Sequence, residues 1–114
     1  MKFALLMNTK PAESRELSDE GVKAIEARHA VLLEELSASG EIVNGAGLRL
    51  PEETVTVRAD GTSTGPVASG DEHVTAYYVV EVADRHRAEE IAARILDDHV
   101  TAVEVRQIHN SNGM

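Results

Sequence analysis

Two apolar rhythms alternate along this chain. Lys2 to Asn8 is a short apolar run closed by Thr9-Lys10-Pro11, which reads as a strand. From residue 18 to 39 the period lengthens. Val22, Ile25, His29, Leu32 and Leu36 recur at spacings of three and four, the stripe of an amphipathic helix. Ser18 serves as its N-cap, Asp19 and Glu20 sit in the electropositive first turn, and Gly40 is its stop. One member of the stripe is a histidine.

Glu41 to Leu48 is a second strand, and Gly45 and Gly47 within it predict a bulge or a close backbone approach. Thr54 to Arg58 alternates with its valines on one side, and Asp60-Gly61 then makes a hairpin turn. Residues 62–71 are a loop by composition. Val74 to Val82 is the strongest strand. Asp84 caps a second helix reaching Leu96, with Ala88, Ile91, Ala92 and Ile95 turned inward. Val100 to Ile108 is the last strand, and residues 109–114 are a polar tail. One domain over residues 1–108 accounts for all of this.

The order β, α, β, an inserted hairpin, β, α, β predicts an α+β fold, a ferredoxin-like sandwich with both helices on one sheet face. A sheet with one wet face alternates apolar and polar residues. Phe3 to Met7 and Ala76 to Val80 do not alternate, and they fall on the two central strands. The face without helices is therefore apolar at its middle, and a second copy of the chain is its simplest cover, which predicts a homodimer. The alternative is a wide, half-open apolar pocket on a monomer.

Charge and composition narrow the function. Twenty acidic against eleven basic residues leave a net charge of −9, with no basic cluster to offset it. Phe3, Tyr77 and Tyr78 are the only aromatics. A surface of that sign repels phosphate backbones and offers no stacking platform, so no nucleic-acid partner is expected. No apolar run approaches the ~20 residues that span a bilayer. The start is briefly signal-like but lacks a small-residue cleavage site, so the expected address is the cytoplasm, with no membrane partner. The chain has no cysteine, which excludes disulfides, zinc–thiolate sites and thiol catalysis.

Several short stretches together resemble a known family. They are Gly47-Leu48 with Pro51, Thr56-Val57-Arg58, Asp60-Gly61, Gly65-Pro66, Tyr77-Tyr78 and Val103-Glu104-Val105-Arg106. In order and spacing the chain is similar to YCII-related proteins of the DGPF branch. That resemblance implies a ferredoxin-like protomer paired into a dimeric α/β barrel. The signature Asp-Gly-Pro-Phe here reads Thr64-Gly65-Pro66-Val67, so the turn is kept while the carboxylate and the aromatic are lost. Proline fixes φ and the glycine before it tolerates unusual conformations, so Gly65-Pro66 is expected to form a tight turn near a pocket mouth. Relatives with the plain YCII pattern carry an Arg/His pair in the first helix, matched by Arg28-His29, and an Asp after the second helix, matched by Asp97 or Asp98. The resemblance implies that such a His and Asp form a catalytic dyad.

Read on its own chemistry, His29 in an apolar stripe either is a core histidine with a hydrogen-bond partner or lines a pocket. A neutral imidazole held by a carboxylate can take a proton and return it. Asp97 is the expected partner, because the residue just past the helix turns back toward the sheet. No motif places a serine or cysteine nucleophile. Asp97-Asp98-His99 matches no metal-binding spacing and reads as solvated, so neither a metal nor another cofactor is expected. His73, His86 and His109 read as surface groups, and Glu26, Glu34, Glu35, Glu89 and Glu90 as solvated helix faces. Tyr77 and Tyr78 point to opposite sheet faces. Tyr78, Asn44, Gly65 and Pro66 complete the expected binding set for a small-molecule ligand. The predicted function is acid–base chemistry on a small organic molecule, of lyase, isomerase or dehalogenating type. The alternative is a non-catalytic dimer that binds a metabolite or a partner protein in regulation, which loss of the signature Asp and Phe favours.

Overall fold

A computed structural model describes residues 1–113. Strand β1 (Lys2–Thr9) is followed by a single helical turn, α1 (Pro11–Ser14), and the long helix α2 (Asp19–Ser39). Then come β2 (Ile42–Gly47), a 3₁₀ turn at Pro51–Glu53, and the hairpin strands β3 (Val55–Arg58) and β4 (Gly61–Thr64). Strand β5 (His73–Glu81), helix α3 (Arg85–Ile95) and β6 (Val100–Gln107) complete the order.

Four strands form one antiparallel sheet in the order β2-β5-β1-β6, and β3 and β4 form a separate two-stranded ribbon. This is an α+β fold compatible with the ferredoxin-like arrangement: β1 and β5 are the central pair, and the edge strands directly follow the long helices α2 and α3. The sequence boundaries hold closely. Ser18 accepts from the Gly21 amide at 3.0 Å, Gly40 closes α2 at φ +77°, and Asp84 accepts from the Arg87 amide at 2.9 Å.

Three features differ from the sequence reading. Thr62 to Thr64, expected in a loop, pair with β3 as strand β4, because the hairpin turn at Asp60 brings them into register. The turn α1 was not foreseen; Pro11 at its first position supplies the preset φ that starts it. The bulge in β2 lies between Ile42 and Asn44; of the two alternatives expected at the glycines, Gly45 shows the close backbone approach instead.

Alternation along β1 divides the molecule. Phe3, Leu5, Met7 and Thr9 are buried beneath the helices. They pack with Leu32 and Leu36 of α2, Tyr78 and Val80 of β5, and Ala88, Ile91 and Ile95 of α3. Leu36 and Ile91 are inaccessible to solvent, and truncating either to alanine costs about 2–5 kcal/mol. Ala4, Leu6, Tyr77 and Val79 take the opposite face, paired as Ala4–Val79 and Leu6–Tyr77. On the ribbon, Val55 and Val57 are 63% and 74% exposed.

Ion pairs tie the helical layer together. Arg87 of α3 donates from Nε and Nη2 to the two carboxylate oxygens of Glu41, both at 2.8 Å. Those bonds hold the Glu41 carboxyl down at about 2. Glu35, read from sequence as solvated, reaches Arg94 across the helix pair at 2.5 Å. No helix among the described residues is long and apolar enough to cross a membrane.

Candidate functional site

The stripe of α2 packs along only half its length. Leu32 and Leu36 are buried, whereas Ile25 is half-buried and Val22 is 40% exposed. The reason lies across from it. Gly45, Ala46, Gly47 and Ala76 present almost no side chain there, so a cleft of about 570 Å³ stays open between the N-terminal half of α2 and the sheet. Its walls are mostly apolar, with Thr9, Thr75, Tyr78, His29, His99 and Glu26 as the polar members. The size suits a small organic molecule.

His29 projects from α2 into this cleft, half-buried. Its Nδ1 lies 2.7 Å from the Tyr78 hydroxyl, with the rings edge to face at 81°. Both readings of His29 thus apply: it has a partner and it lines a pocket. Burial pushes its imidazole below the ordinary value, and the positive charges of Arg28 and His99 act in the same direction. The negative charge of Asp97 opposes them without prevailing. Burial also raises the Tyr78 phenol above its usual range, so Tyr78 keeps its proton at neutral pH.

The Tyr78–His29 bond fits two tautomers. With the proton on Nδ1, the imidazole donates to the phenolic oxygen and Nε2 is a free base. With the phenol donating to Nδ1, Nε2 carries the hydrogen. A single contact therefore accommodates either state of a proton-transfer group.

Asp97 does not hydrogen-bond His29, contrary to the sequence expectation. Its Oδ2 accepts from Arg28 Nη1 at 2.8 Å, and its Oδ1 accepts from the backbone amides of His99 and Val100 at 2.7 and 2.6 Å. Arg28, the residue beside His29, also donates to the Leu96 carbonyl at 3.3 Å. The turn after α3 does bring Asp97 back, but the longer arginine reaches it and the imidazole stays with Tyr78. His29 and Asp97 still share the wall of a second hollow, of about 440 Å³, between α2 and the end of α3. Asp98 is exposed.

His99 is the site residue that the sequence reading passed over. It lines the 570 Å³ cleft together with His29, and its Nδ1 lies 3.0 Å from Ser14 Oγ. The Asp97 carboxylate bonded two residues ahead to the His99 amide is a local turn signal that fixes this backbone. Nothing in the sequence announced Ser14, which comes from the unforeseen turn α1.

The other expected site residues scatter. Tyr78 lines the cleft. Asn44 pairs opposite Val79 on the far face of the sheet, because strand alternation that turns Gly45 toward Tyr78 turns Asn44 away. Gly65 and Pro66 border neither of these two hollows. Gly65, at φ +106°, instead closes the base of the ribbon: its amide donates to the Thr54 carbonyl and its carbonyl accepts from Thr56 Oγ1, both at 2.7 Å. His73 is tied to the Gly70 carbonyl at 2.9 Å, and His86 and His109 are exposed. Among the described residues, no three His, Asp or Glu side chains gather as a metal site.

The model of the YCII-related domain matches residues 1–110, almost the whole chain. A search of the curated proteins returns no match. With the match spanning both helices, the sheet and the cleft between them, this chain belongs to the YCII-related family.

Proposed function

We propose that this protein carries out proton transfer on a small organic molecule bound between α2 and the sheet, with His29 as the proton-carrying group. One observation carries the reading: a half-buried imidazole, held at Nδ1 by Tyr78, on the wall of a largely apolar cleft. Burial favours its neutral form, the form a general base needs near pH 7. Asp97 acts at one remove. It anchors Arg28 and the turn into β6, and its charge tempers the effect of burial on His29. Lyase, isomerase and dehalogenating reactions all include such a proton transfer.

The working unit in this proposal is a homodimer. Leu6 and Tyr77 on the helix-free face, and Val55 and Val57 on the ribbon, supply the apolar surface for it. Asn44, Gly65 and Pro66 then belong with the subunit seam rather than with the imidazole.

The test is a thermal-shift screen of uncharged metabolites against the wild type and His29→Gln. Glutamine keeps a hydrogen-bonding amide of similar size but cannot cycle a proton. Compounds that stabilise the wild type should be bound by both proteins and turned over only by the wild type. Equal turnover by a folded His29→Gln protein would reduce His29 to a wall residue. Binding without turnover by either protein would favour the non-catalytic, metabolite-binding reading.

A further inference from the structure

The cleft holds two imidazoles, and they are held alike. His29 meets a tyrosine hydroxyl at Nδ1, and His99 meets a serine hydroxyl at Nδ1. Among the described residues neither ring has a hydrogen-bond partner at Nε2. Ser14 fixes more than position. With its hydroxyl hydrogen on the Lys10 carbonyl, 3.3 Å away, Ser14 Oγ can accept from His99 Nδ1–H at 3.0 Å. That bond persists whether His99 is neutral or charged, and in both cases the proton that comes and goes is the one on Nε2.

We propose that His99 is the second acid–base group of the cleft and works with His29 on one bound, uncharged molecule. The inference rests on the reading of His29 given above and extends it. In the reacting complex His29 is neutral and His99 is protonated. As a substrate C–H or O–H bond breaks, its proton bonds to His29 Nε2. The electron pair shifts through the substrate to a second atom, which takes the proton from His99 Nε2. His29 ends as imidazolium, His99 ends neutral, and the molecule leaves as an isomer of unchanged charge. Exchange with water resets the pair.

The surroundings fit one proton shared between two rings. The positive charge of His99 disfavours a second on His29, which separates an acid from a base in the same cleft. The other charged groups near His29 are Arg28, Asp97 and Arg94 around the second hollow and, on the cleft wall, Glu26; His99 is flanked by Lys10, Glu13, Arg28, Asp97 and Asp98 around a further hollow beside α1. Arg28 is already engaged by Asp97, no arginine or lysine lines the cleft, and Glu26 offsets the charge of a protonated His99, so the walls carry no net charge to hold an anion or a cation. An uncharged substrate is the class that remains.

The test is NMR titration of the histidine ring signals in the wild type, His99→Gln and Ser14→Ala, with phenol, benzoate and benzylamine as probes of one shape and three charges. In His99→Gln the midpoint of His29 should move upward. Phenol should shift both rings in the wild type, and benzoate and benzylamine should not. Ser14→Ala should keep the fold while the His99 ring loses its single tautomer, visible in its nitrogen shifts. A His29 midpoint unmoved by His99→Gln in a folded protein would overturn the pairing and leave the role of His29 standing. Phenol shifting neither ring, or benzoate shifting both, would overturn the substrate class.

Discussion

Gly45 and Tyr78 are fitted to each other: a Cβ at residue 45 would stand 2.7 Å from Tyr78 Cδ1 and 2.8 Å from the Tyr77 carbonyl oxygen. The tyrosine that holds His29 thus occupies space that only a glycine leaves free. Gly45→Ala must displace either the ring or the strand, at a cost of about 1–3 kcal/mol. Gly47→Ala, two residues on with nothing within 4 Å of its Cβ position, should change stability by no more than about 0.5 kcal/mol. Urea unfolding of the two variants checks the contrast, and the His29 ring signals should move in the first alone.

Tyr78→Phe keeps the ring in the core and removes the hydroxyl from His29 Nδ1. A hydrogen bond of this kind contributes about 0.5–1.5 kcal/mol, so the protein should fold with a modest loss. The sharper readout is the imidazole itself. Its two neutral tautomers should redistribute, as seen in the nitrogen shifts of His29.

Protonation of His29 opposes folding, because burial places its folded value below that of the unfolded chain. The unfolded state therefore binds the extra proton more readily, and stability falls as pH drops from about 6.5 toward the folded value. His29→Gln removes this dependence. The gap in unfolding free energy between wild type and variant should shift against the wild type across that window and level off below it.

Glu41 behaves in the opposite sense and in a different range. Arg87 holds its carboxyl at about 2 in the folded protein against 4.5 unfolded. The stabilisation is complete above the unfolded value and is lost as pH falls from 4.5 toward 2. Glu41→Gln should cost about 1–2 kcal/mol at neutral pH for a partly buried, two-pronged pair. The difference from wild type should close as the pH is lowered through that window.

Light scattering at micromolar concentration should give twice the chain mass. Leu6→Asp lies on the helix-free face, outside the core of the single chain, so it should yield a folded monomer. A wild-type monomer would remove the dimer from the proposal.

Most of the fold was legible because local signals agreed with one another. Ser18, Gly40 and Asp84 marked helix ends that the structure reproduces, and the four inward residues of α3 are all buried. The partners of the site residues were less legible. The stripe of α2 predicted contact along its whole length, yet the small residues of β2 and β5 that leave it half unpacked are visible only once those strands are set opposite it. His29 was found because it interrupts an apolar period. Its partner was misread because sequence shows that a carboxylate comes near, not that Arg28 reaches it first. His99 carried no periodic mark, and its Ser14 contact depends on a one-turn helix below the length that pattern reading resolves.

The two hydroxyl–imidazole contacts span 49 and 85 positions of sequence. Ser14 and His29 precede the exposed ribbon, and Tyr78 and His99 follow it, so neither half of the chain contains a complete contact. Closing such long loops is an entropic cost met only when β1 docks between β5 and β6. The cleft therefore exists only once both halves of the chain have come together. The same division makes the ribbon a natural place to cut. Two fragments parted there would each be inert and would regain both imidazole contacts only on reassembly, so recovery of the His29 ring signal would report completed folding directly.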